Sequence, residues 1–334
     1  MNMKILVTGV AGFIGSHVAA RLLAEGSQVT GLDNLNPYYD PNLKRARLAP
    51  LLADPGFEFV PLDITARRPM EDLFASHDFD WVIHLAAQAG VRYSVENPHA
   101  YVESNVTGFL HILEGCRRGR VCHLLYASSS SVYGGNTKIP FAVGDPVDHP
   151  VSLYAATKKA NELMAHSYTH LFGIPATGLR FFTVYGPWSR PDMAPYRFAQ
   201  AIMAGDPIDI YNYGRMQRDF TYVDDIIEAL VRVARQPSSS HRLFNIGSSS
   251  PVPLLEFVGE LEEALGKRAR KRYLPLQPGD VVSTYADVED LCRFTGYRPG
   301  TSLREGVQKF AAWFLEYTRP ERTQASEPEL ALAK

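Results

Sequence analysis

Ile5-Leu6-Val7-Thr8-Gly9-Val10-Ala11-Gly12-Phe13-Ile14-Gly15 reads as a short buried strand running into a glycine turn, and Ser16 to Ala24 continues as a helix. That succession is how a helix N-terminus receives a pyrophosphate. Backbone N–H groups point at the anion, and the missing side chains allow close approach. Gly9, Gly12, Phe13, Ile14 and Gly15 are therefore candidate dinucleotide contacts. The spacing is Gly-x-x-Gly-x-x-Gly rather than Gly-x-Gly-x-x-Gly. Taken alone, such a turn serves as readily to pack a helix on a strand.

The segments that follow favour the dinucleotide. A second strand, Gln28 to Leu32, ends in Asp33 beside Asn34. An acidic group there suits bonds to an adenosine ribose and repels a 2′-phosphate, which favours NAD over NADP. A third strand, Phe57 to Pro61, leads to Asp63-Ile64, placed to meet an adenine edge. A fourth, from Trp81, runs into Leu85, Ala86 and Ala87, where small residues let a cofactor lie against backbone. His84 has no second ligand at useful spacing, so it reads as a core histidine, and no metal is expected. The spacing predicts a helix over Tyr101 to Glu114 that brings Asn105 towards the sheet edge. Val121 to Ala127 is a fifth strand, followed by Ser128-Ser129-Ser130-Ser131, hydroxyls set to converge on a ligand.

Val151-Ser152-Leu153-Tyr154-Ala155-Ala156-Thr157-Lys158-Lys159 starts another helix, which Gly173 and Pro175 end. Leu153, Ala156, Ala160, Leu163, Ser167 and Leu171 recur at helical spacing as its apolar stripe. Tyr154 and Lys158, four apart, share a face away from most of that stripe. An ammonium beside a phenol favours phenolate, so Tyr154 is a candidate base, with a lowered pKa expected. The alternative is a surface Tyr and a solvated Lys.

Alternation of strands and helices over the first 180 residues gives an α/β class: a doubly wound parallel sheet of Rossmann type. The expected division is 1–180 for the dinucleotide domain, with a return contribution near 219–248. A smaller α/β nucleotide-sugar-binding domain takes 181–218 and 249–317, and 318–334 is a tail expected to be poorly ordered. The chain has 334 residues, 46% hydrophobic and 21% charged, with a net charge of −2. That balance gives no basis for binding nucleic acid or an anionic membrane. Cys116, Cys122 and Cys292 lack paired spacing, and no stretch approaches the roughly 18 apolar residues of a membrane span. A cytoplasmic protein is expected.

In the second half, Thr177 to Phe182 is a sixth strand. Beyond it Arg197, Tyr211, Tyr213, Arg215, Arg218 and Tyr222 interleave charge with aromatic rings. A nucleoside diphosphate needs an apolar slot for its base and cationic forks for two phosphates. Any one of these arginines is equally a surface residue.

With these residues in place, the chain from Lys4 to about Tyr317 resembles the extended short-chain dehydrogenase/reductases of the nucleotide-sugar epimerase and dehydratase group. The resemblance implies a catalytic set of Ser129, Tyr154 and Lys158, with Lys158 also on the nicotinamide ribose. It also implies that Ser128 lies at the cofactor, that Phe181 and Val184 flank the nicotinamide, and that Thr183 meets the sugar or diphosphate. It places Arg218 on a phosphate and Asp280 on the uridine ribose. Where the dehydratase branch carries Asp-Glu before Val-Tyr-Gly, this chain has Ser130 and Ser131, which cannot supply that acid–base chemistry. Three longer segments resemble the UDP-glucuronate 4-epimerases: Asn36-Pro37-Tyr38-Tyr39-Asp40, Gly90-Val91-Arg92-Tyr93-Ser94, and Gly186 through Met193.

The resemblance implies NAD-dependent C4 epimerisation of UDP-glucuronate to UDP-galacturonate. Tyr154, with Ser129 relaying, takes the C4 hydroxyl proton while the C4 hydride passes to NAD. The 4-keto sugar turns over and is reduced on its other face, so a tightly bound cofactor is regenerated each turn. Ser130, Ser131 and Arg190 are candidates for holding the glucuronate carboxylate, with Arg92, Arg197 and Tyr211 further substrate candidates. UDP-glucose 4-epimerisation and UDP-glucuronate decarboxylation use the same catalytic set, and a non-catalytic dinucleotide-binding regulator is a remoter alternative. Relatives pair through two helices, here near Tyr101–Arg117 and Leu153–Leu171, so a homodimer is implied.

Overall fold

The computed structural model describes residues 3–119, 121–236, 239–277 and 281–319. The strands in chain order are β1 Lys4–Thr8, β2 Gln28–Asp33, β3 Phe57–Pro61, β4 Trp81–His84, β5 His123–Ser129, β6 Ala176–Phe181, β7 Thr183–Tyr185, β8 Pro207–Ile210, β9 Gln217–Tyr222, β10 Arg242–Ile246, β11 Pro251–Pro253 and β12 Arg270–Tyr273. The helices are α1 Phe13–Ala24, α2 Pro41–Leu52, α3 Arg67–Ser76, α4 Tyr93–Glu96, α5 Pro98–Tyr101, α6 Phe109–Gly119, α7 Leu153–Phe172, α8 Ala194–Ala204, α9 Val223–Ala234, α10 Leu254–Leu265, α11 Glu289–Thr295 and α12 Leu303–Tyr317.

Seven strands form one parallel sheet in the order β10-β6-β5-β4-β1-β2-β3. The order reverses between β1 and β4, which opens a crevice at their carboxyl ends. β1 is buried on both faces, as a central parallel strand must be. Ile5 and Val7 pack into the layer with α1, and Leu6 packs into the opposite layer with Phe109 and Ile112 of α6. The remaining strands make a smaller sheet, β11-β9-β7, and the pair β12-β8. Phe220 of β9 stacks on Phe257 of α10 at 4.3 Å, and Tyr185 meets both edge-on. The return to the large sheet is made by α9 and β10. β9, at the start of the expected return segment, pairs instead with β7 and β11 in the smaller sheet.

Three expectations about helices change. The first helix starts at Phe13 rather than Ser16. The helix expected over Tyr101–Glu114 is interrupted, since a π-helical segment, Val102–Gly108, separates α5 from α6. The third change concerns α7. Ser152 caps it by accepting from the Ala155 N–H, and Gly173 ends it at φ 69°, both as its residues require. Its buried side, however, is Ala155, Thr157, Lys158, Asn161, Glu162 and Ala165, while Leu163 and Leu171 are 57% and 66% exposed. The apolar stripe faces outward and the polar face inward, because buried partners satisfy the polar groups. The tail expected from Thr318 lies outside the described residues from position 320 onward.

Candidate active site

One cavity crosses the carboxyl edge of the large sheet, from the glycine turn after β1 to the segment after β6. The turn is built by crowding. Gly9 takes φ 71°, and a Cβ there would meet Ala86 N at 2.7 Å. A Cβ on Gly15 would come within 2.2 Å of Gly9 O, and one on Gly12 within 2.9 Å. Each glycine is required by its neighbour's backbone, the close approach expected of a pyrophosphate turn. Gly12, the N-cap of α1, has no side chain to cap the helix, so the first-turn N–H groups are left to donate to an anion. This cradle, and the carboxylate that follows β2, fit a dinucleotide.

Asp33 is 7% exposed; its oxygens accept from Ala11 N at 3.1 Å and Leu35 N at 2.8 Å, with Lys44 Nζ 3.8 Å away. Asn34 donates to Asp63 at 2.7 Å and ties the ends of β2 and β3 together. Gly9, Gly12, Phe13, Ile14, Gly15, Asp33, Asn34, Asp63, Ile64, Leu85, Ala86, Ala87, Ser128, Tyr154, Lys158, Phe181 and Val184 all line the cavity. Asn105 does not. Its side chain is consumed by both backbone groups of Gln88 (2.9 and 3.0 Å) and by Thr157 (3.0 Å), so it supports the loop after β4. Ser128 reaches the cavity, and its hydroxyl donates to Glu162 at 2.7 Å. Successive residues of a strand point to opposite sides, and the neighbouring Ser129 faces the other way.

Ser129, Ser130, Ser131, Tyr154, Lys158, Thr183 and Arg190 line the same cavity. Ser129 Oγ accepts from Ser131 N at 3.2 Å and donates to Ser131 Oγ at 3.1 Å. The expected depression of the Tyr154 pKa is not found. Burial raises it, more than the Ser129 hydroxyl and the Arg190 charge lower it. Lys158 does not hold the phenol either: its Nζ donates to Ala127 O at 2.9 Å, and burial pushes its own pKa down to about 8. The phenol and the ammonium both line the cavity, each short of the solvation its charged form needs. His84 beneath them shares a bond of 2.8 Å with Thr8, and burial with the Lys158 charge lowers its pKa to about 3. It is a neutral core histidine. Among the described residues no cluster of metal-ligating side chains occurs.

Arg190 is gripped by Asp192 through two nitrogens, and Tyr38 donates to that carboxylate at 3.4 Å. Arg92 and Tyr211 lie together as a cation over a ring at 4.7 Å, but neither lines the cavity. Arg197 is exposed on α8, and Arg218 donates to the carbonyls of Gln217 and Val282 at 2.8 and 3.1 Å, both outside the cavity lining. Asp280 falls outside the described residues. Residues that escaped the sequence reading include Lys44, Arg47, Gln88 and the buried pair Glu162–Arg180. Charged residues on a polar-looking helix carry no signal of burial. Asn36, Tyr38, Tyr39, Gly90, Val91, Asp192 and Met193 stood in segments already singled out.

Comparison with known proteins agrees with this site. Residues 5–247 match the model of the NAD dependent epimerase/dehydratase family. Protein CapI of Staphylococcus aureus is 51% identical, covering 94% of this chain and 99% of its own. A probable UDP-glucuronate 4-epimerase of Rhizobium meliloti is 48% identical, covering 93% and 97%. The crystal structure of UDP-glucuronic acid 4-epimerase from Bacillus cereus, in complex with UDP-glucuronic acid and NAD, superposes with a TM-score of 0.89 at 34% identity, over 94% of this chain and 99% of that one. The chain belongs to the NAD dependent epimerase/dehydratase family.

Proposed function

We propose that this protein inverts C4 of UDP-glucuronate to give UDP-galacturonate, with NAD retained through turnover. The observation that carries the reading is that one cavity is lined both by Ser129, Tyr154, Lys158 and Arg190 and by the glycine cradle. NAD, when bound, supplies a hydride acceptor and donor. The glycine turn and Asp33 bind and orient it, and Lys158 and Tyr154 stand at its reacting end. Lys158 exchanges its Ala127 carbonyl for polar groups of the ligands, which brings a positive charge to the phenol and favours phenolate. Tyr154 then takes the C4 hydroxyl proton through or beside Ser129, and returns it to the opposite face after the 4-keto sugar has turned.

A 4-keto glucuronate is a β-keto acid and loses CO₂ when the carboxylate bond aligns with the carbonyl π system. Arg190, whose Nε and Nη2 are held by Asp192, has Nη1 left to hold that carboxylate out of alignment, together with the Ser130 and Ser131 hydroxyls. Serines at these positions also withhold the carboxylates that 4,6-dehydration uses. The protein is proposed to act in the cytoplasm; among the described residues no helix is long and apolar enough to cross a membrane. It is proposed to pair through α6 and α7, where Leu110, Leu163, Leu171 and Phe172 stand 38–66% exposed. Leu163→Arg is expected to give a monomer by light scattering, and an unchanged mass would remove this surface from the interface.

The deciding experiment is purified protein with UDP-glucuronate and no added cofactor, followed by proton NMR. UDP-galacturonate is expected to appear without CO₂. A UDP-pentose with CO₂ would make the protein a decarboxylase, and no product even with NAD supplied would overturn the reading.

A further inference from the structure

Arg47 lies on α2, 2% exposed, and every one of its N–H groups is used. Nε donates to Trp188 O at 3.1 Å, Nη1 to Ala11 O at 3.0 Å and the Tyr39 hydroxyl at 2.7 Å, and Nη2 to Trp188 O at 2.7 Å and Ser189 O at 3.3 Å. None of these acceptors is a carboxylate. Burying a cation among neutral acceptors is costly to stability, so the arrangement is not explained as a stabilising ion pair. What it accomplishes is mechanical. One rigid fork ties the glycine turn, through Ala11, to the two residues immediately before Arg190.

The loop's own bonds are few: Ser189 N donates to Gly186 O and Met193 N to Arg190 O, each at 3.2 Å, and Asp192 grips Arg190. Trp188 sits at φ 64°, a conformation that a large side chain resists, and the Ser189 hydroxyl is buried without a partner. The loop is held from outside, by Arg47 on two successive carbonyls and by the Trp188 ring against Trp313 and Tyr317. Arg190 leaves this loop to enter the cavity. We propose that Arg47 is a positioning residue for substrate selectivity: by fixing residues 188–189 to the cofactor turn it aims Arg190, so that preference for an acidic over a neutral sugar depends on a side chain outside the cavity. This rests on the reading above that Arg190 meets the glucuronate carboxylate.

The test uses NAD-loaded protein carrying Tyr154→Phe, so that no sugar is turned over, and calorimetric binding of UDP-glucuronate and UDP-glucose. Losing a hydrogen bond to a charged group costs about tenfold to 100-fold in affinity. Arg47→Met is accordingly expected to reduce the glucuronate-to-glucose affinity ratio by about tenfold or more, with NAD content unchanged. Arg47→Lys, limited to three donors, is expected to fall between. In an Arg190→Ala background, Arg47→Met is expected to leave the ratio where Arg190→Ala alone puts it. A loss of both affinities in equal proportion, or an additive effect of the two changes, would overturn the proposal in favour of a merely structural role. If Arg47→Met does not accumulate as folded holoprotein, Arg47→Lys decides on the same ratio. A parent protein with no preference for the acid would instead refute the substrate reading itself.

Discussion

Glu162 and Arg180 join α7 to β6 inside the protein, and changing Glu162 to Gln tests what holds the catalytic helix in place. Both side chains are 1% exposed, and two N–O contacts of 2.8 Å make the pair bidentate. Burial raises the Glu162 pKa, but the Arg180 bonds and charge and the Ser128 hydroxyl outweigh it, and the carboxyl ends below its ordinary value. Glutamine keeps the shape and removes the charge. Arg180 is then left buried with the Tyr133 hydroxyl at 3.0 Å and Val143 O at 3.2 Å. Uncompensated, a buried cation of this kind costs about 3–5 kcal/mol. With an unfolding entropy of roughly 2.1 cal/mol/K per residue over 334 residues, Tm should fall by about 4–7 °C. The sign with pH follows from the lowered carboxyl. Its contribution is complete above the unfolded value near 4.5 and is lost as pH falls through the folded one, so the wild-type advantage should hold at pH 7 and shrink in acid. Circular-dichroism melts at stepped pH measure this. Replacing both partners by apolar residues, Glu162→Leu with Arg180→Met, should recover much of the loss. A Tm change under about 1 °C for Glu162→Gln, or a double variant less stable than the single one, would refute the reasoning.

Tyr154→Phe should lower kcat by about 100-fold to 10,000-fold while the purified protein keeps its bound NAD, read from product formation and from cofactor released on denaturation; retained turnover would move the base elsewhere. Lys158 has its pKa lowered by burial to about 8, so between about pH 8 and 10.5 the unfolded chain binds the extra proton. Stability of the cofactor-free protein should therefore rise with pH over that window and flatten in Lys158→Met, as followed by urea titration. Gly15→Ala puts a methyl 2.2 Å from Gly9 O and should both lower Tm and release NAD on gel filtration; an alanine variant that retains NAD would mean the turn can relax.

The parallel sheet was legible because buried strands followed by glycine or small residues have few other uses. The cofactor end was legible for a related reason: crowding at Gly9, Gly12 and Gly15 leaves a signature in residue type. The orientation of α7 was not legible, since leucines at helical spacing normally face a core. Here Glu162 and Lys158 are bonded to Arg180 and to Ala127 O from distant strands, and no local pattern announces those partners. The partners of Asn105 are hidden for the same reason. An asparagine near a sheet edge reads alike whether it meets a ligand or pins a loop. Arg47 and Lys44 lay hidden because α2 has charged residues on the side it buries.

The inverted helix has an evolutionary consequence. Along α7, Tyr154, Lys158 and Glu162 are constrained by the interior, while Leu163 and Leu171 are available to whatever covers the outside. In the proposed pairing, drift on the outer row alters assembly without disturbing the reaction centre, and a mutational scan of the helix should separate into two interleaved classes, one read out by turnover and the other by molecular mass.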